Sequence, residues 1–340
     1  MVVIVQNNIS ISICQKSEYN KLTNYINQFW KKNHVLVQSK TLLDWQHKDN
    51  ENYNFVVAKD QISGDFIGIM GFIPVSHFDK SFKKHGEFWG AIWHVLDSSP
   101  VGLGLDLMTY FEKEYSVKFN GAIGINNLAK KIYYYLGRKI GTLNHYYILN
   151  NKISNFNIAN VEHAVIKNIW KNDSLEFKEI FNLTGFFLRH KYKPRKSLKY
   201  LINRYQKHPL YKYRFFGIFK SDLLICIWVI RKQFVGEASC LRIVDMFGDV
   251  ENIENIFSQV QELLIIEKSE YIDCLNYGIN NSTFRDMGFE LLDYMKNTIV
   301  PNYFEPFEKR NVKIDFAIKT EHEEFVIFKG DADQDRPSII

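Results

Sequence analysis

The segment from Val95 to Gly137 constrains this 340-residue chain more than any other. Glu87 to Leu96 reads as a strand and feeds Asp97-Ser98-Ser99-Pro100-Val101-Gly102-Leu103-Gly104, after which a helical pattern starts at once. Leu103, Leu107, Met108 and Phe111 give that helix an apolar stripe. Phe119 to Asn126 reads as a second strand, and Asn126, Ala129, Tyr133 and Gly137 then follow at helical steps.

Gly102 and Gly104 carry no side chains, so backbone N–H groups there can turn inward and approach an anion closely. The helix behind them aims its unpaired N–H groups and positive dipole end at the same spot. No Gly-Lys-Ser/Thr follows, which excludes a nucleotide P-loop. The third glycine and the distant acidic residue of a dinucleotide fingerprint are also missing. Taken alone, the loop fits either a diphosphate cradle or a tight strand-to-helix turn. On the second helix, Leu128, Ile132, Tyr135 and Leu136 read as the core stripe, with Tyr133 at its edge beside small Ala129.

Together, at this spacing, these two halves resemble the acyl-CoA-binding core of the GNAT acyltransferases. The resemblance implies a mixed-sheet α/β fold with a splayed strand pair, where the pantetheine arm pairs like an added strand. It implies an acyl-CoA site formed by Trp93, Val95, Leu96, Val101, Gly102, Leu103, Gly104, Asn126 and Ala129, with backbone N–H groups of Trp93 to Leu96 holding the oxyanion. Many relatives carry Arg or Gln where Ser99 stands, so the diphosphate grip rests here on backbone donors and on lysines elsewhere. Tyr133 is the candidate general acid: protonating a thiolate of pKa about 8.5 from a phenol of pKa about 10 costs only roughly 2 kcal/mol. A half-buried tyrosine filling a helix–sheet seam is the alternative.

Composition fits an ordered, soluble chain. With 46% hydrophobic and 15% aromatic residues it can bury sizeable cores, and its length suits two domains. The net charge of +5 is too mild to argue for nucleic acid. Cys14, Cys226, Cys240 and Cys274 are scattered, without metal-ligand spacing, so no metal is expected. No signal segment or membrane-spanning run is visible, and a cytoplasmic location is expected.

The two halves echo each other. Tyr53–Lys59, Asp65–Pro74 and Glu87–Leu96 read as strands, with His145–Leu149 expected to close the first sheet and helices at Tyr19–Trp30 and Lys40–Gln46 covering a face. The second half repeats this with Tyr213–Lys220, Leu223–Lys232, Leu241–Gly248, a helix over Ile253–Ile266, Tyr271–Tyr277 and a short helix over Asn281–Met287. Its glycine loop is gone: Phe247-Gly248-Asp249-Val250-Glu251 places carboxylates where a diphosphate would sit. The expectation is a tandem fold: an acyl-CoA-binding domain over residues 1–152, a polar linker, and a degenerate second domain over 160–340 that contributes to the acceptor site.

Two second-half segments are candidates for that site. Arg189 to Lys212 interleaves cations with Tyr192, Tyr200, Tyr205 and Tyr211, which suits a nucleotide or, equally, a solvated amphipathic helix. The end, Phe325 to Pro337, is an apolar strand followed by dense polar residues, read as an ordered loop at the site.

Trp45-Gln46-His47, Gly71-Phe72-Ile73-Pro74, Trp89-Gly90-Ala91-Ile92-Trp93, Leu143-Asn144-His145-Tyr146-Tyr147, His208-Pro209-Leu210-Tyr211, Asn302-Tyr303-Phe304-Glu305-Pro306-Phe307 and Asp333-Gln334-Asp335-Arg336-Pro337 together resemble the tandem-GNAT nucleotide-sugar N-acyltransferases (FdhC-like) of bacterial surface-polysaccharide and O-antigen biosynthesis. That resemblance implies direct transfer of an acyl group, 3-hydroxybutanoyl or acetyl, from acyl-CoA to the amine of a dTDP-linked amino-dideoxyhexose. It points to His34, His47, Phe72, His145, Tyr205, Tyr211, Asn302, Tyr303, Asp335 and Arg336 as acceptor-site residues. Glu87 and His94 are candidates for handling the amine proton. No serine or cysteine nucleophile with a partnered base is visible, which favours a ternary complex over an acyl-enzyme. Two other readings stand beside this one: a Fem-type aminoacyl transferase using charged tRNA, and a non-catalytic nucleotide-sugar-binding protein.

Overall fold

The computed structural model describes residues 4–6, 8–161 and 174–335. The first half runs through β1 (Ile9–Gln15), helix α1 (Tyr19–Tyr25, continued by a widened turn over Ile26–Trp30), α2 (Lys40–His47), β2 (Asn52–Asp60), β3 (Phe66–Pro74) and β4 (Glu87–Val95). It continues with α3 (Leu103–Tyr115), β5 (Phe119–Ile123), α4 (Asn127–Tyr135), β6 (Lys139–Thr142) and β7 (Asn144–Leu149). Leu22, Ile26, Leu42 and Leu43 pack on Phe55, Val57 and Ile69 from one side of the sheet. Leu103, Leu107, Phe111 and Tyr133 pack on Val56, Met70 and Phe72 from the other. Because both faces are covered, β2 and β3 read as continuous apolar runs rather than as alternating ones.

The second half repeats the plan: β8 (Leu175–Ile180), α5 (Leu198–Leu201), β9 (Arg214–Lys220), β10 (Leu223–Val235), β11 (Ala238–Gly248), α6 (Phe257–Ile266), β12 (Tyr271–Tyr277), α7 (Asn281–Asp286), β13 (Asp315–Thr320) and β14 (Ile327–Phe328). The tight turn expected at Ser221-Asp222 is there. Both residues take left-handed φ, 48° and 63°, which matches the twist of a two-residue hairpin.

Sheet order shows how the halves are joined. The first sheet runs β1-β2-β3-β4-β5-β13-β6, with Ile4–Gln6 at its edge; the second runs β8-β9-β10-β11-β12-β7, closed by Glu290–Leu291. Each half therefore lends a strand to the other sheet. The expectation that His145–Leu149 closes the first sheet is corrected: His145 faces Leu275, and Leu149 faces Tyr271, in the second. Only Leu143 separates β6 from β7, so the chain cannot double back beside β6 and crosses over instead. Its place is taken by β13, with Phe316 opposite both Ile123 and Gly141. A Cβ on Gly141 would lie 2.5 Å from the Phe316 ring, so only glycine lets that strand seat closely. Between the sheets, Ile73, Trp89, Ile123 and Phe316 share one core with Leu201, Phe215, Val229 and Phe325.

The exchange generates a prediction. Residues 1–161 expressed alone should lack a strand between β5 and β6 and show no cooperative melting by circular dichroism. Co-expression with 174–340 should restore a sharp transition.

Candidate functional site

The opening between β4 and β5 is built by unequal pairing. The two strands run parallel but pair only at Glu87–Phe119, Phe88–Asn120 and Trp89–Gly121. On its other edge β4 stays paired with β3 as far as Val95. Backbone groups of Gly90 to Val95 therefore face a gap on the β5 side, able to accept an added extended chain. At its mouth Gly102 takes φ 94°, a left-handed turn that favours glycine, and caps α3 without any side chain. A Cβ on Gly104 would lie 3.4 Å from Trp93 Nε1, and Val101 is fully exposed. Trp93, Val95, Leu96, Leu103 and Ala129 line or flank the same opening, packed on or beside the α3 face and the α1 face. Asn126 caps α4 by accepting a hydrogen bond from Ala129 N–H at 2.8 Å.

Tyr133 differs from its expected place. The stripe of Leu128, Tyr135 and Leu136 is exposed, and Tyr133 is the buried residue of α4, 6% exposed, its ring 5.5 Å from that of Trp93. The packing of α4 turns position 133 rather than 132 or 136 onto the sheet. The hydroxyl meets no hydrogen-bond partner among the described residues, and burial pushes its pKa up to about 12.

The other two candidates for proton handling lie apart from Tyr133. His94 projects to the opposite face of β4, its Nδ1 2.9 Å from Tyr25 Oη, and burial lowers its pKa. Glu87 sits at the closed end of β4, where its buried carboxylate accepts from the Arg195 backbone N–H at 2.8 Å and from the Arg195 guanidinium. That carboxylate ties the two halves together at the paired end of β4, rather than standing free at the opening where the amine proton was expected.

Within the basic run Lys196 and Arg204 are buried, whereas Arg189, Lys191, Lys199, Lys207 and Lys212 stay exposed. Lys196 Nζ is buried 2.6 Å from Asp245 and 3.1 Å from Asp331. Burial works against its charge, but the two carboxylates outweigh it and hold its pKa above the ordinary value. Arg204 donates to the carbonyls of Gly330 and Ala332, Tyr205 Oη donates to Asp245 at 2.8 Å, and Lys191 pairs with Glu251. The contacts of Lys196 with Asp331 and of Arg204 with Gly330 and Ala332 grip residues 327–335, the C-terminal strap. The strap fills the opening of the second half, where β11 and β12 pair only over Leu241–Ile243 and Ile272–Cys274. Ile327 and Phe328 pair with β12, Lys329 N–H donates to Leu275 O at 3.1 Å, and Gly330 N–H donates to Val244 O at 2.8 Å. The chain itself occupies the slot that the missing glycine loop would have served.

Beyond the slot the strap crosses to the first half. Gln334 lies against Gly124, at the exit of β5, where a Cβ would come within 2.5 Å of its Oε1. The same glutamine lines a pocket with Tyr211, Asn302, Tyr303, Glu305 and Asp335. Four residues expected in the acceptor site, Tyr211, Asn302, Tyr303 and Asp335, thus meet on one wall. A second pocket behind Asp335 brings in Trp45, Gln46, Tyr205 and His208. Charged residues that the motifs had not singled out complete the first pocket: Arg231 holds Asp335 bidentately at 2.8 and 3.1 Å, and Arg242 holds Asp273 at 2.7 and 3.0 Å. The guanidinium of Arg231 lies 4.0 Å over the Tyr211 ring. Arginines inside the apolar runs of β10 and β11 were the available signal, since a buried charge must be partnered.

The remaining candidates are corrected to structural places. His34 caps the turn that follows it, accepting from Leu36 N–H. His47 is buried against Phe55 and bonded to Phe72 O at 3.2 Å. Phe72 lies in the core with Phe88 and Phe111. His145 is fully buried on β7, 3.0 Å from Asp273, and burial keeps it neutral. Arg336 lies outside the described residues. Among the described residues no cluster could hold a metal ion and no helix is long and apolar enough to cross a membrane.

No family model and no curated protein matches the sequence. Solved structures do. A GCN5-related N-acetyltransferase from Anabaena variabilis aligns at 12% identity with a TM-score of 0.52, over 91% of this chain and 72% of that one. A putative acetyltransferase from Pyrococcus horikoshii aligns at 8% identity with a TM-score of 0.49, over 95% and 92%. Saccharomyces cerevisiae N-myristoyltransferase with bound myristoyl-CoA aligns at 8% identity with a TM-score of 0.44, over 94% and 81%. The Anabaena likeness and the two mixed sheets show that the chain has the GNAT fold, built in tandem.

The strap's anchor can be tested directly. Lys196→Ala leaves Asp245 and Asp331 buried without their cation, so it should cost about 3–5 kcal/mol in urea unfolding. An exposed control, Lys199→Ala, should stay within roughly 0.5 kcal/mol of the parent.

Proposed function

We propose that this chain is an acyl-CoA-dependent N-acyltransferase whose acceptor is the amine of a dTDP-linked amino-dideoxyhexose. The observation that carries the reading is Gln334. It touches the exit of β5 on one side and lines the Tyr211–Asn302–Asp335 pocket on the other, so the donor slot of the first half adjoins an acceptor pocket built by the second. The open β4 edge and the side-chain-free start of α3 supply what a pantetheine arm and a diphosphate need: unpaired backbone donors and a helix N-terminus. The sugar acceptor rests on the resemblance carried by the Asn302 and Asp333 segments, now facing one pocket.

In this reading the neutral amine attacks the thioester carbonyl, and N–H groups of the unpaired β4 edge hold the oxyanion. Tyr133 gives its proton to the departing sulfur. The acyl group is acetyl or a longer one such as 3-hydroxybutanoyl. A tRNA donor has little support, because Lys191, Arg195, Lys196 and Arg204 are already bound to carboxylates and carbonyls.

Incubating the protein with acetyl-CoA or 3-hydroxybutanoyl-CoA and dTDP-3-amino-3,6-dideoxy-galactose or -glucose, while following free thiol, tests the reaction. Thiol release that requires the sugar supports it, and a protein that releases none with any pairing refutes it. Gly104→Val pushes a side chain toward Trp93 at the start of α3, so the acyl-CoA dissociation constant should rise at least tenfold in calorimetry. Unchanged binding would move the donor site elsewhere. Tyr133→Phe keeps the ring but loses the proton, so turnover should fall roughly 100- to 10,000-fold with acyl-CoA affinity intact. A variant with near-parental turnover would assign the proton to solvent.

A further inference from the structure

Among the described residues Lys329 is the one cation of the acceptor pocket that lacks an ionic partner. Its side chain is 6% exposed, and its Nζ donates to the Asn302 carbonyl at 2.6 Å. Among the described residues no carboxylate comes within ion-pair distance of that nitrogen, whereas Arg231 and Arg242 beside it are each saturated by a carboxylate. The strap presents it there: Lys329 N–H bonds Leu275 O in the second-half slot, which turns the side chain into the pocket that Gln334 shares with the exit of β5.

We propose that Lys329 is the general base of the transfer, its free amine taking the proton that the acceptor's ammonium must lose before the nitrogen can attack. The inference rests on the acyl-transfer reading above. The proton balance closes. The acceptor nitrogen carries three hydrogens as an ammonium and one in the product amide. One proton goes to Lys329, and the other restores the one that Tyr133 gives to sulfur, as the C–N bond forms and the C–S bond breaks. Solvent then removes the proton from Lys329.

The surroundings of Nζ favour the free amine. Burial pushes its pKa down to about 7, Arg242 and Arg231 adding to the effect and Asp335 and Asp273 opposing it. Both carboxylates are neutralised by their own arginines, His145 on β7 is neutral, and Glu305 across the pocket accepts from Tyr211 Oη at 2.6 Å. A neutral lysine keeps two N–H groups, enough to hold the Asn302 carbonyl and still leave one lone pair. The alternatives on the first half, His94 and Glu87, are bonded to Tyr25 and to Arg195 and lie across β4 or at its closed end.

The test compares kcat against pH for the parent, Lys329→Met and Lys329→Arg with acetyl-CoA and dTDP-3-amino-3,6-dideoxy-galactose. At pH 7 both variants should lose roughly 100- to 10,000-fold in kcat and then gain about tenfold per pH unit as hydroxide takes over, with acetyl-CoA affinity unchanged. Arginine keeps the cation and its carbonyl contact but has no free amine, so it separates the base from a structural role. Variant profiles parallel to that of the parent would overturn the proposal. Lysine Cε NMR, with the signal assigned by its loss in Lys329→Arg, gives a second readout independent of the substrate. Titration near the value of about 7 supports the proposal, and titration at the ordinary lysine value of about 10.4 overturns it. An inactive parent with the low titration would discard the sugar reading alone.

Discussion

Everything in this molecule hangs on the exchange of two strands. β13 lies between β5 and β6, and β7 lies beside β12, so neither sheet is complete without the other half. The halves are thereby fixed by backbone ladders rather than by side-chain contacts alone, and a ladder has a register that cannot drift. That rigidity is what lets the open edge of β4 on one half and a pocket on the other meet near a single glutamine.

The two copies have diverged around the same architectural opening. In the first, β4 and β5 part beyond Trp89 and leave backbone groups facing a gap. In the second, β11 and β12 part beyond Ile243, and the strap closes the gap with Gly330 bonded to Val244 and Lys329 bonded to Leu275. A slot that binds by backbone pairing takes a peptide as readily as a pantetheine arm. Filling it internally changes its use: a binding slot becomes an anchor, and the residues beyond it become the wall of a different pocket.

The anchor is ionic and buried, which is a costly way to hold a segment. Lys196 faces two carboxylates, Tyr205 bonds one of them, and Arg204 takes two strap carbonyls. A purely apolar contact could hold the strap but could not fix its register, whereas directional bonds to Asp331, Gly330 and Ala332 do. The pocket in front of it repeats the theme, with Arg231–Asp335 and Arg242–Asp273 as closed pairs and Lys329 as the exception.

Local chemistry alone determined the helices, most strands, the glycine-led start of α3 and the doubling of the plan, because these depend on periodicity and turn residues within a few positions. It also drew attention to Tyr133, while Tyr211, Asn302 and Asp335 were pointed to by the family resemblance. Tertiary structure decided the rest. Whether His145–Leu149 completes its own sheet or its neighbour's depends on a one-residue connection and on a competing strand 170 residues later, which no local pattern carries. The fate of the basic run depended on which carboxylates lay opposite: Lys196 and Arg204 are indistinguishable from solvated cations until Asp245 and the strap are placed beside them. Likewise Glu87, His34 and His47 are polar residues in the right neighbourhood by sequence, and it is their filled hydrogen bonds that make them structural.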